Sequence, residues 1–280
     1  MKGKYPLIDL LNYSGLSKST YFDNINKQNA REHKDDELAK IIESIFIENY
    51  KKYGSPRIAI ELHNRGIIVN EKKVARIMKK YHISAKPKAK RYSSYKGEVG
   101  LIADRLVNRG AFDSGCPGMI FGTDVTQFKI GEDKIYLSPI IDFHTREIVA
   151  HDISERPNMK QIYRMMDRFE ERYGLDLHGA IIHSDQGWQY QQKWFQDWVH
   201  DHNMKQSMSR KGNCLDNSPT ENFFGRLKEE MFYGQEWRYE TVKELVVAID
   251  RWIKYYNNTR IVTILKNSPA KYLAAIESVK

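Results

Sequence analysis

Cysteines and long apolar stretches are both scarce in this sequence of 280 residues. The 2 cysteines, Cys116 and Cys214, are too few for a disulfide framework or a four-cysteine zinc site. The longest apolar runs, such as Leu245 to Ile249, are too short to cross a bilayer. Met1 to Leu16 contains neither the apolar stretch nor the cleavage site of a signal peptide. We therefore expect a soluble, cytoplasmic protein without a membrane partner.

Acidic residues are missing from one stretch of the chain, and their absence concentrates positive charge there. The formal net charge is +9, from 45 Lys and Arg against 36 Asp and Glu. Between Lys72 and Lys96 there are ten cations and no acid, which leaves the rest of the chain near neutrality. Such a segment favours a polyanionic partner, most simply nucleic acid. A solvated surface or a flexible basic linker is the alternative, especially after Lys86.

The first 83 residues have the pattern of a small all-α, helix-turn-helix-like module. Short helices are predicted over Tyr5–Asn12 and Ser17–Asn26, and a longer helix follows them. Gly54-Ser55-Pro56 ends that helix and begins the next one. Asn70 is placed to cap a further helix over Glu71–Tyr81.

The helix over Glu71–Tyr81 has one apolar and one basic face. An apolar stripe runs from Val74 to Tyr81, and the opposite face has five cations without an acid. Helix-turn-helix proteins present such a helix to DNA, although similar helices also occur in proteins that bind no ligand. The charge makes DNA binding the favoured interpretation. The predicted DNA-binding residues of this face are Lys72, Lys73, Arg76, Lys79 and Lys80.

The composition changes twice after the helical module. Residues 84–116 are rich in lysine, serine and glycine, and we predict a basic linker there. From residue 117 onward β-rich runs and amphipathic helices alternate, beginning with a three-stranded antiparallel meander, which indicates a mixed α/β fold. We assign this domain to residues 117–235 and a C-terminal helical segment that packs on it to residues 236–280. Strands are predicted over residues 119–128, 134–142, 147–153 and 179–183, with an extended run at 205–209, and helices over 158–173 and 191–202, near 219 and after 241.

Three acids of the α/β domain stand in contexts that suit metal binding. Asp124 lies inside the first predicted strand, Asp185 follows the buried strand, and Glu221 lies at the start of a helix. Carboxylates at strand positions of a central sheet need each other or cations as partners. Hard ions such as Mg²⁺ prefer oxygen ligands, and no Cys/His cluster competes, so we expect Mg²⁺ or Mn²⁺ and no zinc. Two such ions could assist an in-line phosphoryl transfer.

Each of these acids also has a purely local explanation. Asp124 could end a strand, Asp185 could start a turn before Gly187, and Glu221 could complete a capping box with Ser218. Spacing adds one argument, because Lys228 follows Glu221 by seven positions, or about two helical turns, so both could face one substrate. Other acids of the domain that lie near turns are Asp142, Asp152 and Asp216.

Several motifs resemble those of a known family. They are Thr123-Asp124-Val125-Thr126, His183 to Tyr190, Ser209 to Ser218, Glu221 to Phe224 with Leu227-Lys228, and Tyr255-Tyr256-Asn257 with Arg260. With them the chain resembles DDE transposases of the IS-three family of bacterial insertion sequences. The resemblance implies an RNase H-like, retroviral-integrase-type catalytic core. Residues Val69 to Met78 resemble the helix-turn-helix-like module that precedes this core in the family.

The resemblance also implies a chemistry and a set of partners. Asp124, Asp185 and Glu221 would be the catalytic triad that binds two Mg²⁺ or Mn²⁺ ions, and Lys228 would contact DNA near the scissile phosphate. The reaction would be hydrolysis that frees a 3′-OH at a transposon end, followed by strand transfer. The partners would be transposon-end and target DNA, a second copy of the chain in a dimer or higher oligomer, and in some members a DNA-binding protein from an upstream frame. His63 lacks the two cysteines that would complete an integrase zinc site.

Two questions remain open at this point. The loop from Ser209 to Asn217 could lie against DNA through Arg210 and Lys211, or it could be an ordinary surface loop. The leading function is an active transposase. The alternatives are a catalytically inactive DNA-binding regulator and an RNase H-like nuclease.

Overall fold

The computed structural model describes residues 6–85, 103–107, 115–210 and 217–278. The chain divides into two compact units, residues 1–86 and 87–280. Most of the predicted linker, residues 84–116, lies outside the described ranges. Within those ranges, no helix has the length and apolar character needed to cross a membrane.

The N-terminal unit consists of four helices in its described part: α1 (Leu7–Ser14), α2 (Lys18–Glu48), α3 (Ser55–Asn64) and α4 (Glu71–Lys80). The prediction of two separate helices between residues 17 and 48 was wrong, because α2 is continuous over 31 residues. The physical reason is that this stretch contains no glycine or proline to interrupt the helix once it has formed. The predicted cap at Asn70 is present, since its side chain accepts a hydrogen bond from the amide of Lys72 at 2.8 Å.

The second unit is built on a sheet of six strands: β1 (Ile120–Thr123), β2 (Thr126–Ile130), β3 (Asp133–Asp142), β4 (Ile148–Ser154), β5 (Ile181–Ser184) and β6 (Lys205–Met208). Strands β1 and β2 follow one another along the same edge of β3, and β4 pairs with its other edge. Strand β5 is parallel to both β1 and β6. The sheet is therefore mixed, with a central β1 that lies between β3 and β5.

The predicted first strand of the meander is interrupted. The prediction of one strand over residues 119–128 was wrong in detail, because β1 ends at Thr123 and β2 begins at Thr126. The register against β3 is the same on both sides, since Thr123 pairs with Ile140 and Thr126 pairs with Leu137. Only Asp124 and Val125 leave the ladder.

Helices cover both faces of this sheet. One core packs α5 (Met159–Tyr173) and α6 (Lys193–Asp201) on the sheet through residues such as Phe169 and Phe195. The other core contains α7 (Ser218–Leu227) and α8 (Val242–Asn258), with Leu227 and Ile249 fully buried. In the described ranges, the remaining helical elements are 3-10 helices at Trp188–Gln191 and Glu236–Arg238, a π-helical turn at Lys228–Phe232, and α9 (Pro269–Glu277). The architecture confirms the predicted α/β class and the all-α module before it.

Candidate active site

The parallel pairing of β1 and β5 brings the two aspartates to the same edge of the sheet. Gly122 of β1 pairs with His183 of β5, and each aspartate follows two residues later in its own chain segment. Asp124 lies in the break between β1 and β2, where its carboxylate accepts a hydrogen bond from the amide of Val125 at 2.7 Å. Asp124 and Asp185 therefore leave adjacent strands at matching positions, and both are partly buried.

The turn after β5 fixes the carboxylate of Asp185. One of its oxygens accepts a hydrogen bond from the amide of Gly187 at 2.8 Å, which is an Asx-type turn. The predicted local role as a turn starter is thus real, but it occupies one carboxylate oxygen only. The second oxygen has no hydrogen bond among the residues that the structure describes.

The helix that carries Glu221 is attached directly to the end of β1. Asn217 donates a hydrogen bond to the carbonyl of Thr123 at 3.2 Å, and it accepts one from Thr220 at 2.7 Å. Gly122 permits this close approach, because a Cβ there would lie 2.0 Å from Phe143 Cε1 and 2.7 Å from Thr220 Oγ1. Sequence reasoning missed these residues, although a glycine two positions before Asp124 was a usable signal.

The capping-box alternative for Glu221 is wrong. The cap position is Asn217 instead of Ser218, and in this described segment no side chain makes a capping hydrogen bond. Glu221 is consequently the fourth residue of α7, one position beyond the place that a capping box requires. Glu221 is exposed, and its carboxyl group is near enough to Asp185 to be influenced by that charge.

The carboxylates influence one another's titration. Burial, and next the charge of Asp185, raise the pKa of Asp124 well above its ordinary value. Burial also raises the pKa of Asp185. The pKa of Glu221 rises to about 6, because the surrounding protein partly desolvates its carboxyl group and because Asp185 is charged. All three groups resist ionisation together, which is the expected electrostatic behaviour of acids that share a site.

The donor chemistry of the site fits a hard divalent cation. Three carboxylates supply oxygen ligands, and a cation would relieve the repulsion that raises their pKa values. In the described ranges, however, no three His, Cys, Asp or Glu side chains are close enough together to enclose an ion as they stand. Two of the acids lie at strand ends, and the third lies on an exposed turn of a helix. The three carboxylates would therefore have to move closer together to bind one cation.

Lys228 does not lie on the protein surface as an ordinary DNA-contacting lysine would. Its side chain is 4 % exposed, and its ammonium lies 5.1 Å from the ring centroid of Phe128. Burial lowers the pKa of Lys228 to about 8, while the nearby charge of Asp124 acts in the opposite direction. The expected straight helix from Glu221 to Lys228 is also absent, because α7 ends at Leu227 and the π-helical turn begins at Lys228.

The basic face of α4 is partly covered by acids from α2. Arg76 and Lys73 pair with Asp35 at 2.7 Å and 3.3 Å, and Lys80 lies 4.0 Å from Asp36. Although burial acts to raise the pKa of Asp35, hydrogen bonds from Arg76 and Lys73 bring it below its ordinary value. A view of α4 alone could not show these acids, which lie more than 30 positions earlier in the sequence.

Two cations of the α4 face have no ion-pair partner among the described residues. In the part of the chain that the structure describes, Lys72 and Lys79 make no ion pair. In the second unit, Arg210 is exposed directly after β6, where Ser209 donates to the carbonyl of Ser184 at 2.9 Å. Lys211 lies outside the described residues.

Comparison with known proteins identifies the family. Models described as integrase core domain match residues 115–214 and 221–275, and an HTH-like domain model matches residues 33–91. The chain is 40% identical over 269 residues to the putative transposase InsK for insertion sequence element IS150 of Escherichia coli K12, covering 96% of this chain and 93% of that protein. The chain belongs to the transposases of the IS-three family. The resemblance predicted from the motifs is confirmed.

Further relatives of this transposase agree in name. An uncharacterized transposase-like protein of Haemophilus influenzae is 48% identical over 209 residues, which cover 74% of this chain and 94% of that protein. The HTLV-2 integrase catalytic core domain, solved in complex with magnesium, aligns with a TM-score of 0.45 and 16% identity over 56% of this chain and 96% of that one. The integrase core domain models confirm the predicted RNase H-like core, and the transposase relatives confirm the general transposase function.

Proposed function

We propose that this transposase cleaves transposon ends to free a 3′-OH and then transfers that strand to another phosphodiester, with Asp124, Asp185 and Glu221 as its catalytic metal ligands. The observation that carries the proposal is the parallel β1–β5 pair. It brings two carboxylates to matched positions of one sheet edge. Burial and the charge of Asp185 raise the pKa of Asp124, and burial raises the pKa of Asp185. Buried like charges are retained at functional sites because a partner ion compensates them.

Each residue has a distinct task in this proposal. Asp124 and Asp185 bind divalent cations from the sheet edge, and Glu221 completes the ligand set when its exposed side chain turns inward. Mg²⁺ or Mn²⁺, with two ions per site, would supply Lewis-acid stabilisation of the attacking and leaving oxygens. No zinc is included in the proposal.

Binding of DNA is distributed over both units in the proposal. The family membership and the HTH-like domain indicate DNA as the partner. Lys72 and Lys79, which keep their charge, are proposed to contact phosphates of the transposon end. Arg210, Lys211 and Lys228 are proposed to contact DNA near the carboxylates. Because strand transfer joins two ends, we propose a dimer or a higher oligomer, with an upstream-frame DNA-binding protein as a further candidate partner.

Incubation with labelled transposon-end duplex and Mg²⁺ tests this function. Joined products are expected from the wild type, and Asp124→Asn should abolish both cleavage and joining while it still binds the duplex. Asp133→Asn is the matched control, because that acid lies at the exposed start of β3. Cleavage without joining would favour the nuclease alternative. Binding without any cleavage would favour the inactive regulator and contradict the proposal.

A further inference from the structure

The turn that carries Lys228 has an unusual backbone. Immediately after α7, residues Lys228–Phe232 form a π-helical turn, in which the amide of Tyr233 donates to the carbonyl of Lys228 at 2.7 Å. Single π-helical turns are rare, are less favourable than α-helix, and occur frequently at functional sites. Something in the surrounding structure must therefore hold this turn in place.

The turn places the side chain of Lys228 in a buried position, where a positive charge is energetically unfavourable. Lys228 is 4 % exposed and lies beside the ring of Phe128, and the Asp124 carboxyl group provides a compensating negative charge nearby when it is ionised. A lysine side chain that was free to move would extend its ammonium into water. The backbone that carries Lys228 therefore contributes to its inward position.

A buried ion pair fastens the same turn to the C-terminal segment. Glu230, two residues after Lys228, accepts hydrogen bonds from Arg260 Nε at 2.8 Å and from Arg260 Nη2 at 2.6 Å. The two side chains are only 9% and 3% exposed. Arg260 follows α8 and lies with its guanidinium 5.6 Å from the ring centroid of Tyr256. Two-point pairing of this kind constrains orientation as well as distance.

We propose that Arg260 is a positioning residue of the transposase site, which holds the Lys228–Phe232 turn through Glu230 and so keeps Lys228 buried against Phe128. The C-terminal segment would then complete the active site without contributing a group that touches DNA or metal. Loss of Arg260 would remove the two hydrogen bonds and the positive charge that Glu230 receives from it, and this favours turning of the carboxylate outward to water. The turn and Lys228 would move with it. The importance for joining rests on the function proposed above, whereas the placement of Lys228 does not.

Lysine acetylation followed by mass spectrometry tests the placement on the full chain without metal or DNA. In the wild type Lys228 should react slowly because its side chain is buried. In Arg260→Gln its acetylation, corrected for the free-amine fraction of the lysine at the reaction pH, should be about tenfold faster because the turn opens locally. Arg260→Lys, which keeps the charge, should restore much of the protection. Lys193, with an 83% exposed side chain, should react equally in every variant and serves as the internal control.

A second control separates positioning from general loss of stability. Ile249→Ala removes a fully buried side chain of the same core without touching the ion pair, and Lys228 should stay protected in it below its melting temperature. Unchanged protection of Lys228 in Arg260→Gln would overturn the proposal. Equal deprotection in Ile249→Ala would do so as well.

Strand joining provides an independent readout through a double-mutant cycle. If Arg260 acts through Lys228, Arg260→Gln should slow joining in the wild-type background but have no further effect in Lys228→Met. Independent, multiplicative losses would contradict a positioning role. Should the wild type fail to join ends at all, the proposed function would fail, while the acetylation result would still decide the role of Arg260.

Discussion

Removal of the charge at Asp124 should stabilise the metal-free protein although it destroys the proposed activity. Asp124→Asn keeps the shape of the side chain and the oxygen that accepts from the amide of Val125. It removes a charge that burial and Asp185 both disfavour. The variant therefore separates the destabilisation caused by the Asp124 charge from the contribution of the side chain to packing.

The register of the sheet allows an order-of-magnitude value for the repulsion between the carboxylates of Asp124 and Asp185. Adjacent strands lie about 4.8 Å apart, so carboxylates at matched positions are about 6 Å apart. At an effective dielectric constant of about 20, two unit charges at this distance repel by about 3 kcal/mol. Partial protonation and screening by water reduce the gain, and we expect about 1 to 3 kcal/mol. For a unit of this size, that is a rise in melting temperature of about 3 to 9 °C.

The stability difference should depend on pH in a defined direction. A carboxyl group with a raised pKa in the folded state binds its proton more tightly there than in the unfolded chain. The wild type therefore gains stability as pH falls from 8 towards 5, through the pKa of about 6 for Glu221 and the raised pKa of Asp124. The advantage of Asp124→Asn should accordingly be largest at pH 8 and should shrink towards pH 5.

Thermal unfolding in EDTA over this pH range measures the effect, with Asp133→Asn as the control for an exposed acid. Addition of Mg²⁺ should then raise the melting temperature of the wild type by mass action but leave Asp124→Asn almost unchanged. A variant that is no more stable than the wild type at pH 8 would refute the electrostatic reasoning. Equal Mg²⁺ responses in both proteins would refute the ligand assignment.

Three further outcomes are expected. Replacement of Lys72 and Lys79 together by Ala should weaken binding of the transposon end and lower its salt slope by about 0.9 for each lost phosphate contact, measured by fluorescence anisotropy at several salt concentrations; an unchanged slope would mean that these lysines are only solvated. Gly122→Ala should cost about 3 kcal/mol or more in chemical denaturation, since its Cβ would overlap Phe143, and a neutral result would contradict the close packing. Asn217→Ala should slow joining at a stability cost of about 1 kcal/mol, because α7 loses its link to β1, and undiminished joining would exclude a role for that link.

Local patterns predicted much of the fold. The amphipathic stripe of α4, the cap at Asn70 and the β-rich runs around the meander all depend on neighbouring residues, and each has a counterpart in the structure. The continuity of α2 does not follow from apolar periodicity, because the middle of this helix is exposed and polar. The interruption at Asp124 was missed because β1 and β2 keep one register, so alternation along the sequence is not disturbed.

For the candidate site too, some features could be predicted from local motifs and others depend on the tertiary structure. Motif order in the chain was enough to select Asp124, Asp185 and Glu221 and to indicate the family, since short motifs record residue types and their spacing. Which groups interact across the fold required the folded chain. Asp35 covers part of the basic helix, the turn after α7 carries Lys228 inward, and Arg260 reaches Glu230 from 30 positions away. These contacts join residues that are distant in sequence. Burial and charge pairing act between neighbours in space, and the order of residues along the chain does not specify those neighbours.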